Sequence, residues 1–427
     1  MYYPSIGTRL WRVLLYKLEK ITSENILSLL LFLFPIFAVS VRHWVSSFFG
    51  LLVIFCLVLF FRRRVTSSDL ENEEKWVLWA FVFYFAAFLL TSIANDWSEV
   101  QTRYLGVEIR YLFFFPLYLL IRQVPDAFKW LLYGCVVGVA VSFIDAFYGH
   151  INGSFERYEG AYSVLFAGPV ILMMSLFLIP GLKITDSKWS KVILIGIVLL
   201  GIYVVYLSGA RNAYFSVIAL SVLYSLLVLK GYYKFLATIA VVGLSVVAYY
   251  SSEVINSRVN IAYSEYQQYR SYANPAEAKT SLSSVGTRLE MWRATPYFMK
   301  DNPLFGVGRG NYKFAVKEYI NAKQVHPGIG THAQLHNIYS EVLISKGLVG
   351  LVAFIGISFV PLIVLLRDFR NRRGDAIFAI LLILAYLTHS LSDAALFIKG
   401  NYTAFYIIFL ATFFSYHMQV KIKQRET

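Results

Sequence analysis

The feature that most constrains this chain is a succession of apolar runs, each about 16 to 23 residues long and so able to cross a bilayer as a helix. Helices apolar all round have no place on the surface of a soluble core. Composition agrees: 58% of the 427 residues are hydrophobic, 15% are charged, and mean hydropathy is +0.59, against about 45–50% apolar and about 25% charged in soluble domains. The expected fold is an all-α polytopic membrane protein of about 12 transmembrane helices with a large, partly helical outer loop. The spans are expected near Ile26–Val41, Trp44–Phe61, Trp76–Ala94, Tyr104–Ile121, Trp130–Tyr148, Ala161–Leu182, Val192–Leu207, Tyr214–Leu229, Phe235–Tyr250, Ile338–Leu366, Ala376–Ser390 and Tyr402–Met418. Three regions follow: 1–250 with helices 1–9, 251–335 as an outer cap, and 336–427 with helices 10–12 and a tail. No cleavable signal is evident, and the first run reads as a retained span. No internal repeat of the transporter kind stands out.

A net charge of +14 invites nucleic acid as a partner, but its distribution answers otherwise. The N-terminus, the loops Arg62–Lys75, Arg122–Lys129, Lys183–Lys191, Lys230–Lys234 and Arg367–Arg373, and the C-terminal tail carry 22 Lys and Arg. The short loops of the opposite side carry five: Arg42, Arg103, Arg157, Arg211 and Lys399. Positive loops face the cytoplasm, so both termini are expected there, and the charge is orientation rather than a nucleic-acid footprint. The 85-residue loop from Ser251 to Leu335 falls on the outer side, where long loops escape the charge rule. A loop of that length is functional or disordered, and its tyrosines and helix signals favour an ordered cap. Cys56 and Cys135 sit inside apolar runs and read as packing residues.

Several polar residues on the outer side invite chemistry. In Ser283-Ser284-Val285-Gly286-Thr287-Arg288-Leu289-Glu290, a serine can cap a helix and Arg288 lies near its start. Arg288 is either a surface cation paired to a carboxylate or part of an anion site. The helix should stop at Asn302-Pro303. Leu304-Phe305-Gly306-Val307-Gly308-Arg309-Gly310 follows as a tight turn, with Arg309 a supporting candidate. Arg211, after Ser208-Gly209-Ala210, either snorkels to lipid phosphates or grips a phosphate bidentately. His336 opens the tenth span, with an imidazole suited to proton transfer near neutral pH, or is an interfacial histidine bonded to a carbonyl. Gly347 and Gly350 at helical spacing after it would let another helix pack closely. His326 and His332 lack zinc-ligand spacing. Glu108, Arg110, Asp145, His389 and Asp393 are ionisable groups in or beside spans and so candidates by default, although Glu108 reads better as the structural partner of an arginine. No Asp-x-Asp pair for a metal-bound nucleotide sugar occurs.

These pieces resemble the bacterial O-antigen ligases, in the wider group with O-antigen polymerases and protein O-oligosaccharyltransferases. The features carrying the resemblance are the twelve spans, the late outer loop, Thr287-Arg288…Trp292…Asn302-Pro303-Leu304-Phe305-Gly306-Val307-Gly308, and His336-Asn337 followed after nine residues by Gly347-x-x-Gly350. The resemblance implies a GT-C-like, inverting glycosyltransferase without metal or other cofactor. It would move O-polysaccharide from undecaprenyl diphosphate to lipid A-core at the periplasmic face of the inner membrane. It implies His336 as general base and Arg211 and Arg288 as ligands of the donor diphosphate, with Asn337, Arg309, Arg157 and Asp393 as possible supporting residues. Expected partners are the lipid-linked O-antigen, lipid A-core and membrane lipids. The alternatives are a polymerase, against which the His-Asn…Gly-x-x-Gly spacing argues, a protein O-oligosaccharyltransferase, and a non-enzymatic flippase of lipid-linked glycans. A flippase would line a path through the membrane with charge, whereas these residues gather on one face.

Overall fold

In a computed structural model, residues 23–63, 70–155, 157–272, 274, 276, 281–370 and 374–426 are described, and every regular element among them is helical. The basic residues expected to orient the N-terminus (Arg9, Arg12, Lys17 and Lys20) and Arg64, Arg372 and Arg373 lie outside the described residues. In chain order the helices are α1 (Ser23–Ser40), α2 (Trp44–Arg63), α3 (Asn72–Ala94), α4 (Glu99–Leu112), α5 (Phe114–Ile121), α6 (Ala127–Ile151), α7 (Val164–Gly181), α8 (Lys188–Ser208), α9 (Arg211–Val228), α10 (Tyr233–Ser251), α11 (Glu253–Ser271), α12 (Ser284–Asp301), α13 (Tyr312–Asn321), α14 (Ile338–Arg370), α15 (Ile377–His389), α16 (Ala395–Ile398) and α17 (Gly400–Glu426).

Among the described residues nine helices are long and apolar enough to cross a membrane, and three shorter apolar ones complete a one-to-one match with the twelve expected runs. The fourth span is divided into α4 and α5 at Phe113, because Pro116 lacks the N–H that would reach the carbonyl one turn back. The bundle is built around α17, whose apolar window is 83% buried. At the other extreme, α10 buries no residue at all and rests against α9. Side chains such as Trp189 and Ile239, 80% and 67% exposed, belong in lipid, where a helix satisfies its own backbone. Glycine sets the tightest crossing. A Cβ on Gly134 would collide with the Phe32 carbonyl and lie 3.1 Å from Pro35 Cδ, so α1 and α6 pack with backbones nearly touching.

The cap has a core of its own, formed by Met291, Ala294, Phe298, Tyr312, Val316, Tyr319, Val325, Ile329, Leu335 and Ile344. Ser283 starts α12 as the sequence suggests, its Oγ accepting from Gly286 N at 3.2 Å, and α12 ends at Asp301, just before Asn302-Pro303. The fully buried Glu290 staples three segments. It accepts from Tyr269 Oη at 2.7 Å, from Arg293 Nη2 at 2.6 Å and from the His326 amide at 2.8 Å.

The tenth span holds the main departure from expectation. Instead of one smooth helix, α14 is interrupted at Gly347, whose backbone is at φ 63°, ψ −156°. The cap segment 303–307 docks into the break: Leu348 N donates to Pro303 O at 2.9 Å, Val349 N to Leu304 O at 3.1 Å, and Val307 N to Ile344 O at 2.8 Å. A Cβ on Gly347 would meet the Leu304 backbone and lie 2.6 Å from Phe305 N, and one on Gly306 would lie 2.7 Å from Lys346 N. Gly347 therefore serves backbone pairing between span and cap rather than the packing of a neighbouring helix. Gly350 makes room for the Lys346 side chain one turn earlier, with which its Cβ would collide. The expected helix-packing role of this pair is corrected accordingly.

Gly347→Ala should lose on the order of 1–3 kcal/mol of stability through strain and collision, seen as a lower melting temperature of the detergent-purified protein. Gly196→Ala, on an open helix face, should melt at or above the wild-type temperature.

Candidate active site

Four of the sequence candidates meet at the end of the bundle that carries the cap. His336 lies in the turn that enters α14, at φ 50°, a left-handed conformation that costs a non-glycine residue on the order of 1 kcal/mol. Its neighbours enforce it. The Leu335 amide donates to Glu341 Oε2 at 3.0 Å, and the Ile338 amide to Ser390 O at 3.1 Å. Asn337 caps the helix, its Oδ1 accepting from Ser340 N at 3.0 Å, while its Nδ2 donates to Leu391 O at 3.0 Å. The imidazole is thus aimed by bonds on both sides, with its side chain still 18% exposed.

His336 Nδ1 lies 3.8 Å from Asp393 Oδ1, whose carboxylate is 1% exposed. That is beyond a hydrogen bond and within ion-pairing range once the ring is protonated. Asp393 also acts electrostatically on Arg288 and on His389. Arg288 in turn feels Arg211 and Glu265. Arg211, the first residue of α9, places Nη1 3.7 Å from Glu265 Oε2, and that nitrogen makes no hydrogen bond among the described residues. The cluster therefore holds two guanidiniums and an imidazole against two carboxylates. Burial lowers the pKa of Arg288 below its ordinary value, yet arginine stays charged in proteins. His332 stands beside His336 with ring centroids 6.0 Å apart. Burial first, then the neighbouring His336, lower its pKa below the ordinary imidazole value.

The other candidates support this cluster from behind. Arg157 donates from Nε to Ser208 O at 3.2 Å and from Nη2 to Gly209 O at 3.0 Å, fixing the left-handed turn (Gly209 φ 59°) that delivers Arg211. His389, buried, has Nε2 3.1 Å from Asn212 Nδ2 and Nδ1 3.4 Å from Ser216 Oγ. It thereby ties the helix begun by Arg211 to the turn bearing Asp393. Arg309 is 2% exposed and does not reach the cluster. Its Nε lies 3.2 Å from Glu108 Oε1 and its Nη1 2.6 Å from Glu341 Oε1, with the guanidinium over the Tyr104 ring at 4.2 Å. Lys346 Nζ completes the group, 2.7 Å from Glu108 Oε2 and 3.1 Å from Tyr84 Oη. Glu108 thus has an arginine partner from the cap, as well as a lysine, while Arg110 bonds Gly400 O and Ser46 Oγ elsewhere. Through Glu341 this buried network ends one residue from His336.

Sequence reading passed over Glu265, Asn212, Glu341 and Lys346. Glu341 and Lys346 are ionisable residues inside an apolar run and were open to the rule that singled out Glu108. Glu265, one acid in a tyrosine-rich stretch, gives no local sign of its pairing with Arg211.

Fold and site together define a multi-pass membrane protein with a cation- and histidine-lined cluster under a cap at one end of its bundle. Residues 196–355 match the family model described as O-antigen ligase. The match includes Arg211, Glu265, Arg288, Arg309, His336, Gly347 and Gly350. The chain is also 26% identical over 318 residues to an uncharacterized protein of Haemophilus influenzae, covering 73% of this chain and 77% of the relative.

Removing Arg309 from the buried network leaves Glu341 without a cation in a dry interior, which costs about 3–5 kcal/mol. Arg309→Ala should accordingly melt well below wild type in detergent. Arg103→Ala, which breaks the exposed pair with Glu99, should melt close to wild type.

Proposed function

We propose that this protein is an O-antigen ligase: it transfers O-polysaccharide from undecaprenyl diphosphate to a sugar hydroxyl of lipid A-core. The reading places it in the bacterial inner membrane with both termini in the cytoplasm and the site at the periplasmic face, as the loop charges favour. The observation that carries it is the meeting of Arg211, Arg288 and His336 within the matched domain, at one end of the bundle.

A lipid diphosphate is an activated leaving group, so the reaction needs no nucleotide. His336 takes the proton of the acceptor hydroxyl as its oxygen bonds to the anomeric carbon. The bond from that carbon to the diphosphate oxygen breaks, undecaprenyl diphosphate leaves, and attack from the opposite face inverts the centre. Negative charge on the departing oxygen grows toward the transition state, where fixed guanidiniums stabilise it most. Asp393, 3.8 Å from His336 Nδ1, would stabilise the imidazolium that forms. The two arginines provide the counter-charge that a metal supplies in other transferases, which is why the reading assigns no cofactor. Asn337, Arg157 and Arg309 hold backbone or buried charge and act as positioning residues.

Purified protein supplied with glycan-linked undecaprenyl diphosphate and lipid A-core should form product in EDTA. His336→Ala should lower turnover by about 10²-fold or more, and Arg211→Ala and Arg288→Ala by a similar order, with all three still folded. Wild-type rates from both arginine variants would overturn the diphosphate assignment, and metal-restored activity after EDTA would overturn the cofactor-free chemistry. Lipid A-core, a second lipid-linked glycan and a peptide offered separately identify the acceptor. Product from either of the last two alone would replace the ligase reading with a polymerase or a protein transferase, and no product with translocation of the lipid-linked glycan would indicate a flippase.

A further inference from the structure

The carboxylate of Glu265 stands where an anion held by Arg211 would stand. Its Oε2 is 3.7 Å from Arg211 Nη1, it acts electrostatically on Arg288, and it accepts from the Val285 amide at 3.1 Å, in the first turn of the helix that carries Arg288. The Arg211 guanidinium and a helix-start amide thus meet one side-chain anion, within electrostatic reach of Arg288. The grip is loose. Arg211 and Glu265 are 33% and 18% exposed and their separation is beyond a hydrogen bond, the regime in which ion pairs contribute little. The helix carrying Glu265 buries none of its own residues, and neither does α10 before it, although Tyr269 one turn on ties it to Glu290.

We infer that Glu265 is a resident competitor for the anion site, displaced when a phosphate-bearing ligand binds and returning when it leaves. The inference rests on the reading of Arg211 and Arg288 as diphosphate ligands. Its physical content is a mass-action one: a ligand's apparent affinity falls by the fraction of time its site is open. A carboxylate tethered beside the slot is always present to reclaim it, so Glu265 weakens the hold on the donor and, equally, on the undecaprenyl diphosphate left after transfer. A pair of arginines strong enough to stabilise a departing diphosphate would otherwise retain it, and release would limit turnover.

The test uses full-length protein in detergent, titrated with undecaprenyl diphosphate and separately with inorganic pyrophosphate, with binding read by thermal shift. Glu265→Gln, close in shape and without charge, should bind both probes about tenfold more tightly than wild type, as expected if the carboxylate holds the slot about nine-tenths of the time. Glu265→Ala should move in the same direction, which guards against a local packing effect of one variant. Glu318→Gln, which removes an exposed cap carboxylate, controls for net charge and should match wild type. In turnover, Glu265→Gln should lower the donor KM and also kcat, with a single-turnover rate near wild type because chemistry is untouched. Unchanged or weaker binding by both Glu265 variants, with wild type binding the probes through Arg211, would overturn the competitor role and leave the donor reading standing. Failure of wild type to bind either probe, or binding indifferent to Arg211→Ala, would overturn the donor reading and this inference with it.

Discussion

The structure turns on a buried exchange of charge between cap and bundle. Arg309 arrives from the cap turn, Glu108 and Tyr104 from α4, Glu341 and Lys346 from the first part of α14, and Tyr84 from α3. Two cations meet two carboxylates, all no more than 3% exposed, so each ion depends on the others for the solvation it has lost. The network fixes the cap against the spans while the break at Gly347 supplies paired backbone groups for the cap to dock on. Glu341 serves both ends, pairing with Arg309 and accepting the Leu335 amide. The turn holding His336 is therefore set by the same bond set that seats the cap.

Much of the bundle was legible in the sequence because membrane insertion imposes a strong, local and nearly one-dimensional rule: an apolar run of sufficient length must be a helix. The capping serine at 283 and the stop before Pro303 obey similarly local rules. What stayed hidden depends on groups far apart in the chain. Nothing near Gly347 announces that Leu304 will press against it, so the glycine reads as a packing residue when its task is a left-handed break. Arg309 looks like a site arginine beside glycines, and only the distant Glu108 and Glu341 turn it into an anchor.

The site residues divide along the same line. His336, Arg211 and Arg288 could be nominated because topology alone sorts them to one face, and a shared face limits how far apart they can lie. Their counter-ions could not. Glu265 is one carboxylate among many polar loop residues, and Asn212 has significance only through its contact with His389. Charge polarity along the chain sorts its loops into two sets, whereas the partners that tune each charge are tertiary facts.

Three helices begin at this cluster: α9 at Arg211, α12 at Ser284 and α14 at Ile338. The first turn of each carries the positive end of its helix dipole, roughly half a positive charge, with Ser283 and Asn337 capping α12 and α14. Of the helices that finish nearby, α8 has its last carbonyl and the next covered by Arg157, and α15 ends at His389. With the end of α8 covered by Arg157, the three helix starts leave the cluster a positive bias. Direction of travel is not open to point substitution, so a variant stripped of either arginine keeps a residual attraction for anions, and the field at this end of the molecule is inherited from the topology itself.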